Sequence, residues 1–396
     1  MFSARTNWNF QTNRFARSLE THRQSGKVLL DLTASNPTTC GFEYPATEIL
    51  TALADPRALQ YAPESKGLRS ARESVAAYYE RRPGFGLCAG SVDPERIILA
   101  AGTSEAYSYI LRLLCEQGDE ILCPAPSYPL LEYVAGLNDV RLVPYPLLYD
   151  HGWQIDFAAL RAALTPRSRA VLLVHPNNPT GSFVSPEEAV ELHELCSQRE
   201  IAIVADEVFL DYAEGSKPHS TFAFDGPALT FTLSGLSKIS ALPQMKLAWL
   251  VASGPISVVN SAIDRLEIIA DTYLSPGTPV QLALPRLLAI RHQMQHQLQT
   301  RISANLAHLD SALANHSLIF RMARQGGWYA VLRVPATGSD DDLAVDLIAQ
   351  QSVLVHPGQF FDFPRDGFLV LSLIAPEPDF REGVQRLLRS VKEAHS

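Results

Sequence analysis

The sequence is poor in cysteine and has no long apolar run. Its five cysteines are scattered and odd in number, and none forms a Cys-x-x-Cys pair. This argues against a disulfide framework or a zinc site and favours a reducing compartment. No apolar stretch approaches the roughly 18 residues of a membrane-spanning helix, and the N-terminal stretch MFSARTNWNF lacks the apolar core of a signal peptide. We therefore expect a soluble, cytoplasmic protein without a membrane segment.

Basic charge is also scarce, and lysine is the scarcer of the two basic residues. The 33 lysine and arginine residues are outnumbered by 42 acidic ones, which gives a net charge of −9. This balance provides no global positive field for nucleic acid or an anionic membrane, so neither is an expected partner. If a lysine amine is used for chemistry, there are six candidates, namely Lys27, Lys66, Lys217, Lys238, Lys246 and Lys392.

What the sequence does contain is a regular alternation of apolar strand patterns and helical patterns. Strands are expected at 96–101, 120–123, 140–145, 170–175, 201–205, 229–233 and 247–252. Several of these are continuous runs of Val, Ile, Leu and Ala, which are typical of strands buried on both faces. The sequence therefore predicts an α/β fold with a mainly parallel central sheet and helices on both faces.

The length of 396 residues suits two domains rather than one. After a Pro/Gly break at 276–279 the pattern changes to long helices, a few strands and a closing helix. We predict an N-terminal arm with part of the small domain at 1–44, a large domain at 45–275, and a C-terminal small α+β domain at 276–396.

Three polar motifs follow the ends of predicted strands. The heptapeptide HPNNPTG occupies 175–181, Asp206 follows the next strand, and Lys238 ends the segment SGLSK at 234–238. Ligands of open α/β sheets bind at the carboxyl ends of the strands, so the three motifs predict a site there. Taken singly, each has a plainer explanation: a tight turn, a capping acid and a surface lysine.

In this order, N-P-T-G, an Asp-bearing strand and S-x-x-S-K resemble the fold-type I pyridoxal-phosphate enzymes, specifically the class I/II aminotransferase family. The resemblance extends from Asp31 to Ser372. It implies that the large domain binds pyridoxal 5'-phosphate and that Lys238 forms the Schiff base and moves protons. It further implies that Asp206 pairs with the pyridinium nitrogen and that Asn178 hydrogen-bonds the ring 3-oxygen. No metal is implied.

The resemblance also implies a phosphate site. Gly102, Thr103 and Ser104 form a turn at a predicted helix start, where backbone N–H groups and hydroxyls suit a dianion. Ser237 and Lys246 fall close to the same group in the family.

Four more residues match positions that the family uses. Tyr128 takes the place of the aromatic ring that stacks on the cofactor. Tyr61 matches a residue that reaches the phosphate of the neighbouring subunit, which implies a homodimer with shared active sites. Asn36 and Trp328 fall where the family lines its substrate pocket.

Three positions near the motifs depart from the family pattern. Lys246 stands where an arginine usually grips the phosphate, so the cation is kept as a point charge. Gly235 replaces a serine. Phe209 replaces a tyrosine, which removes one hydrogen-bond donor to the 3-oxygen and predicts a raised pKa of the Schiff base.

The fourth departure concerns the substrate. Val370 stands where the family places an arginine that holds the substrate α-carboxylate through two parallel bonds. Either the alignment shifts here, or Arg14, Arg365 or Arg381 reaches the site, or the substrate is held differently.

Three functions are compatible with these residues. The first is an aminotransferase that moves an amino group between an amino acid, or a related amine, and a 2-oxo acid. The second, suggested by Val370, is a lyase, decarboxylase or cyclising enzyme that uses the same cofactor. The third is a cofactor-binding regulatory domain, which the lack of a basic DNA-binding segment disfavours.

Overall fold

The structure is a computed structural model that describes residues 1–80, 82–85, 90–215, 219–274, 276–314 and 316–393. Lys217, one of the six lysines, and position 275, the predicted end of the large domain, lie outside this range. Within it, the strands form three sheets and are β1 Leu30–Asp31, β2 Ile97–Ala100, β3 Glu120–Ala125, β4 Arg141–Tyr149, β5 Trp153–Ile155, β6 Ser168–Val174, β7 Ala202–Asp206, β8 Thr230–Gly235, β9 Ala248–Ser253, β10 Phe320–Arg321, β11 Tyr329–Arg333, β12 Val353–Leu354, β13 His356–Pro357 and β14 Phe368–Ser372.

The α-helices of the described residues lie between these strands and at both ends of the chain. They are α1 Arg14–Gln24, α2 Ala46–Leu53, α3 Arg69–Tyr79, α4 Thr103–Leu114, α5 Leu130–Leu137, α6 Phe157–Ala163, α7 Pro186–Gln198, α8 Leu236–Ile239, α9 Ile256–Asp271, α10 Thr278–Leu313, α11 Asp340–Asp346 and α12 Glu377–Glu393. None of them is long and apolar enough to cross a bilayer.

The large sheet has the order β2-β9-β8-β7-β6-β3-β4-β5. The five strands from β8 to β4 in this order run parallel to their neighbours, which confirms the mainly parallel sheet predicted from the sequence. Strand β9 is antiparallel to both β2 and β8. A short connection suffices for an antiparallel neighbour, whereas a parallel one requires a longer crossover.

Both faces of this sheet are covered, as the continuous apolar strands predict. In β7, Ala202 and Val204 belong to the apolar cluster that contains residues of α4 and α9. Ile203 and Ala205 point the other way, into a cluster with residues of α6 and α7. The alternation follows from the two-residue period of a strand, and in β7 it leaves only the last residue, Asp206, with a polar side chain.

The C-terminal part contains the antiparallel sheet β10-β11-β14-β13 and the helices α11 and α12. A second, two-stranded sheet pairs β1 with β12, with Leu30 opposite Val353. The beginning of the chain is therefore tied to its C-terminal part. The exact domain boundaries stay a prediction.

The N-terminal arm contains a helix that the polar, arginine-rich sequence did not reveal. Helix α1 starts after Asn13, whose side chain accepts a hydrogen bond from the Ala16 N–H at 2.7 Å. Its single buried residue is His22. A helix with so small a buried face leaves little hydrophobic periodicity for a sequence pattern to detect.

Candidate active site

The three sequence motifs meet at one edge of the large sheet. Val174 pairs with Asp206, and Asp206 pairs with Leu233, so the ends of β6, β7 and β8 lie side by side. A cavity of about 310 Å³ opens at this edge. Its described lining combines apolar side chains with polar ones, and the predicted site residues among them are Thr103, Ser104, Tyr128, Asn178, Asp206, Ser237 and Lys238.

Lys238 reaches the cavity from the short helix α8, which directly follows β8. Leu236 and Ile239 of this helix are fully buried and anchor it. Burial lowers the pKa of the Lys238 amine to about 8, although the negative charge of Asp206 acts in the opposite direction. About one-tenth of such an amine is uncharged at pH 7, which is a far larger fraction than an ordinary lysine provides for nucleophilic attack or proton transfer.

Asp206 is the last residue of β7 and is buried. Its Oδ1 accepts the Val208 N–H at 3.1 Å, and its Oδ2 accepts the Tyr107 hydroxyl at 2.8 Å. Burial raises the pKa of Asp206, whereas these two hydrogen bonds and the charge of Lys238 lower it. A buried carboxylate of this kind is suited to pair with a cationic group of a ligand.

Two neighbouring asparagines of the HPNNPTG turn have different surroundings. The side-chain amide of Asn177 donates to the carbonyl oxygen of Pro126 at 3.1 Å and to Oγ1 of Thr180 at 2.9 Å. The Oδ1 atoms of both asparagines are buried with no hydrogen-bond partner among the described residues, but only Asn178 lies in the lining of this cavity and has no donor bond that holds its amide in the turn. Buried polar atoms are normally paired, so Asn178 is fitted to a ligand.

The start of α4 lies at one end of the cavity and has the features that suit an anion. Gly102 is the N-cap of α4, and Thr103 and Ser104 form its first turn in the cavity lining. A Cβ placed on Gly102 would lie 3.6 Å from Nζ of Lys246, so this amine sits beside the turn although it does not line the same cavity. Unpaired N–H groups at the start of a helix, two hydroxyls and a cation suit a phosphate.

Tyr128 and Trp328 both lie near the motif residues. Tyr128 lines the cavity and is about half exposed, and burial followed by the charge of Asp206 raises the pKa of its hydroxyl. Trp328 is fully buried, and its ring centre is 4.8 Å from Nζ of Lys238. Trp328 therefore packs against the lysine.

Two predicted site residues, Tyr61 and Asn36, do not line the cavity. The side chain of Tyr61 is 80% exposed and does not line the cavity. Asn36 is exposed, and its Oδ1 caps a short 3₁₀ helix by accepting the Thr38 N–H at 3.1 Å. The neighbouring Ser35 lines the cavity instead.

Ser35, Tyr107 and Tyr329 line the cavity but were not assigned from the sequence. Each comes from a different part of the chain, and Tyr329 begins β11 of the small sheet. Tyr107 could have been noticed as a polar group on the face of α4 that packs on the sheet. Ser35 and Tyr329 have no comparable signal, because their approach depends on how the small sheet packs against the large one.

Val370 is fully buried in the small sheet, opposite Val331 on one side and His356 on the other. Burial lowers the pKa of His356 to about 4, so this imidazole is neutral at physiological pH. The arginines considered as replacements are placed elsewhere: Arg14 pairs with Asp342, Arg381 pairs with Glu377, and Arg365 lies near Arg333. The described lining of the cavity contains no arginine.

No cluster of three or more His, Cys, Asp or Glu side chains suitable for a metal ion occurs among the described residues.

A mainly parallel sheet with a buried Lys/Asp pair and a phosphate-type turn at its carboxyl edge defines an enzyme of the fold-type I pyridoxal-phosphate class. The family model for aminotransferase class I and II matches residues 27–387, and the chain belongs to that family.

Similar proteins are aminotransferases. The chain is 30% identical over 373 residues to an alanine aminotransferase of Mycobacterium bovis, covering 91% of this chain and 85% of the relative. It is 28% identical over 358 residues to the glutamate-pyruvate aminotransferase AlaA of Escherichia coli, covering 88% and 87%. A crystal structure of an aminotransferase from Escherichia coli superposes with a TM-score of 0.87 at 25% identity, covering 100% of this chain and 99% of that one.

The protein is therefore a pyridoxal-phosphate-dependent aminotransferase, which confirms the first interpretation of the sequence. The comparisons do not favour the lyase, decarboxylase or cyclising reaction suggested by Val370. The substrates of an aminotransferase are amino acids and oxo acids.

Proposed function

We propose that Lys238 is the residue that binds pyridoxal phosphate covalently and that moves the proton during transfer of an amino group from an amino acid to a 2-oxo acid. The observation that carries this proposal is the position of its amine. It lies in the cavity with Asp206 and Asn178, and its pKa is lowered to about 8. When bound, the cofactor supplies a ring that stabilises negative charge on the substrate carbon next to the nitrogen.

The remaining cavity residues fit the two ends of the cofactor. The Asp206 carboxylate would pair with the ring nitrogen, and the unpartnered Asn178 would bind the ring 3-oxygen. Tyr128 would stack on the ring, since it is the aromatic side chain in the loop between β3 and α5.

The phosphate would bind at the start of α4. Gly102, Thr103 and Ser104 offer backbone N–H groups and hydroxyls there, and Lys246 offers its charge. Ser237, which also lines the cavity, adds a hydroxyl from α8. This set gives a doubly charged group both hydrogen bonds and a counter-charge.

Within this arrangement Lys238 carries a proton between two positions. With the cofactor bound and a substrate amine in place, the free amine of Lys238 would accept a proton from the substrate carbon and later donate it again. A pKa near 8 allows the amine to do both at neutral pH. The rings of Trp328 and Phe209, 4.8 and 5.4 Å from Nζ, limit the directions that the amine can take.

The relatives' names guide the choice of substrates. Because relatives are named alanine and glutamate-pyruvate aminotransferases, alanine with 2-oxoglutarate is the first pair to test. Trp328 would border the substrate because it packs on the lysine. Asn36 would contact the substrate from the surface segment that follows Ser35, which lines the cavity.

We also propose a cytoplasmic homodimer. Tyr61 and the neighbouring Leu59 are 80% and 93% exposed, and an exposed apolar pair of this kind suits a subunit interface. In a dimer, Tyr61 would reach the phosphate site of the partner. Sedimentation equilibrium tests this, with twice the 43.5 kDa chain mass as the expected result and a monomer as the contrary one.

The test of the main proposal uses the cofactor's absorption and a mass measurement. Alanine should convert the bound cofactor to its amino form, and 2-oxoglutarate should convert it back. Borohydride reduction before digestion should leave the cofactor mass on the Lys238 peptide. Lys238→Ala should abolish both results, whereas Lys27→Ala, which alters an exposed lysine, should change neither. The assignment fails if the cofactor mass appears on a different residue.

A further inference from the structure

Tyr107 connects the phosphate-binding end of the site to its acid. It lies on α4 four residues after Thr103, which is about one helical turn. Its hydroxyl donates to Oδ2 of Asp206 at 2.8 Å, across 99 residues of sequence. Tyr107 is buried and lines the cavity. A single helix thus presents the phosphate turn at its start and a hydrogen-bond donor to Asp206 one turn later.

The carboxylate of Asp206 receives one donor on each oxygen. The Val208 N–H binds Oδ1 at 3.1 Å, and this donor is fixed by the backbone that follows β7. The second donor is the hydroxyl of Tyr107, a side chain of helix α4, and it binds Oδ2. Two donors on different oxygens fix the plane of the carboxylate as well as its position.

The surroundings of Asp206 give the Tyr107 hydrogen bond an electrostatic effect as well. Burial raises the pKa of Asp206, and the hydrogen bond from Tyr107 is one of the contacts that lower it again. The other groups that act on or near this carboxylate are the Val208 N–H, the Lys238 amine, the Tyr128 hydroxyl and the Glu207 carboxyl. Burial also raises the pKa of Tyr107 well above its ordinary value, so its hydroxyl remains a donor at physiological pH.

We propose that Tyr107 is a positioning residue of the cofactor site, whose hydroxyl keeps Asp206 ionised and oriented toward the ring nitrogen. The proposal rests on the role given to Asp206 above. Tyr107 acts through Asp206 and has no assigned contact with the substrate. If Tyr107 has this role, removing its hydroxyl should weaken cofactor binding most strongly at acid pH, at which Asp206 begins to take up a proton.

The experiment compares Tyr107→Phe with the unaltered protein and with Tyr109→Phe. Tyr109 is a buried tyrosine of the same helix, and it packs on Tyr273 outside the cavity. Pyridoxal-phosphate affinity is measured by fluorescence titration of the apo-protein from acid to alkaline pH. Tyr107→Phe should weaken binding about 10-fold at the acid end, as expected for one hydrogen bond to a charged group, and the difference should narrow as the pH rises.

A uniform loss of affinity at all pH values would contradict the proposal, because lost packing alone does not depend on the ionisation of Asp206. Equal curves for Tyr107→Phe and Tyr109→Phe would also contradict it. Adding Tyr107→Phe to Asp206→Asn should produce no further pH-dependent loss, and such a loss would show that Tyr107 acts elsewhere. If the unaltered protein does not bind the cofactor at Lys238, the proposed function fails. If it does and Tyr107→Phe binds equally well, only this inference fails.

Discussion

Nζ of Lys238 lies 4.8 Å from the centre of the indole ring of Trp328. The two residues come from different parts of the chain, since Lys238 follows strand β8 of the large sheet and Trp328 immediately precedes β11 of the small one. Phe209 packs edge-to-face on the same indole, with 5.3 Å between ring centres. The amine is therefore enclosed by aromatic rings, and Asp206 is the charged group that opposes the effect of this burial on its pKa.

The first prediction concerns the reactivity of the Lys238 amine with pH. Because burial lowers its pKa to about 8, the uncharged fraction should increase as the pH rises through that value. Competitive acetylation of the apo-protein, quantified on the Lys238 peptide by mass spectrometry, should show a midpoint near pH 8. Asp206→Asn should move the midpoint lower, since the charge of Asp206 raises this pKa. A midpoint unaffected by Asp206→Asn would contradict the described pairing.

The second prediction separates the two asparagines of the HPNNPTG turn. Asn178→Ala should weaken binding of pyridoxal phosphate about 10-fold with little change in melting temperature, because Asn178 has an unpartnered buried oxygen in the cavity. Asn177→Ala should lower the melting temperature by at least about 2 °C, because it removes two hydrogen bonds that hold the turn. Cofactor titration and calorimetry on both variants measure the contrast. Identical behaviour of the two variants would be inconsistent with the described surroundings.

The third prediction concerns the charge beside Gly102. Lys246→Ala should weaken cofactor binding about 10-fold, whereas Lys246→Arg should keep the affinity within about 3-fold, since a guanidinium also binds phosphate. Lys66→Ala is a matched control, because the Lys66 amine pairs with Glu95 at 2.5 Å and does not line the cavity. An equal loss of affinity in the Lys66 and Lys246 variants would remove Lys246 from the phosphate site.

The fourth prediction tests the missing hydroxyl at position 209. Phe209 is buried, and its ring centre is 5.4 Å from Nζ of Lys238. Phe209→Tyr should lower the pH midpoint of the bound cofactor's absorption change by about 1 unit, because a new donor to the 3-oxygen favours its anionic form. Phe360→Tyr, at a half-exposed position outside the cavity, should leave the midpoint unchanged. An upward shift in Phe209→Tyr would be contrary to this account.

Much of the site follows from the sequence because it depends on strand ends. Lys238, Asp206 and Asn178 come directly after buried strands, and the carboxyl ends of parallel strands meet at one edge. The antiparallel strand β9 and the contact between Tyr107 and Asp206 could not be predicted in this way. Both depend on packing between segments far apart in the chain, for which a local apolar pattern carries no information. The exposure of Tyr61 and the surface position of Asn36 likewise depend on tertiary structure.

The central claim is that Lys238, among the six lysines, holds the cofactor and moves the proton of the substrate carbon. The most direct measurement uses two samples of the protein bound to pyridoxal phosphate, one of them first treated with alanine. Both are reduced with borohydride and then analysed by peptide mass spectrometry. The account predicts the cofactor mass on the Lys238 peptide, and its loss once alanine has converted the cofactor to its free amino form. A cofactor mass on another lysine, or one that no amino donor removes, would contradict it.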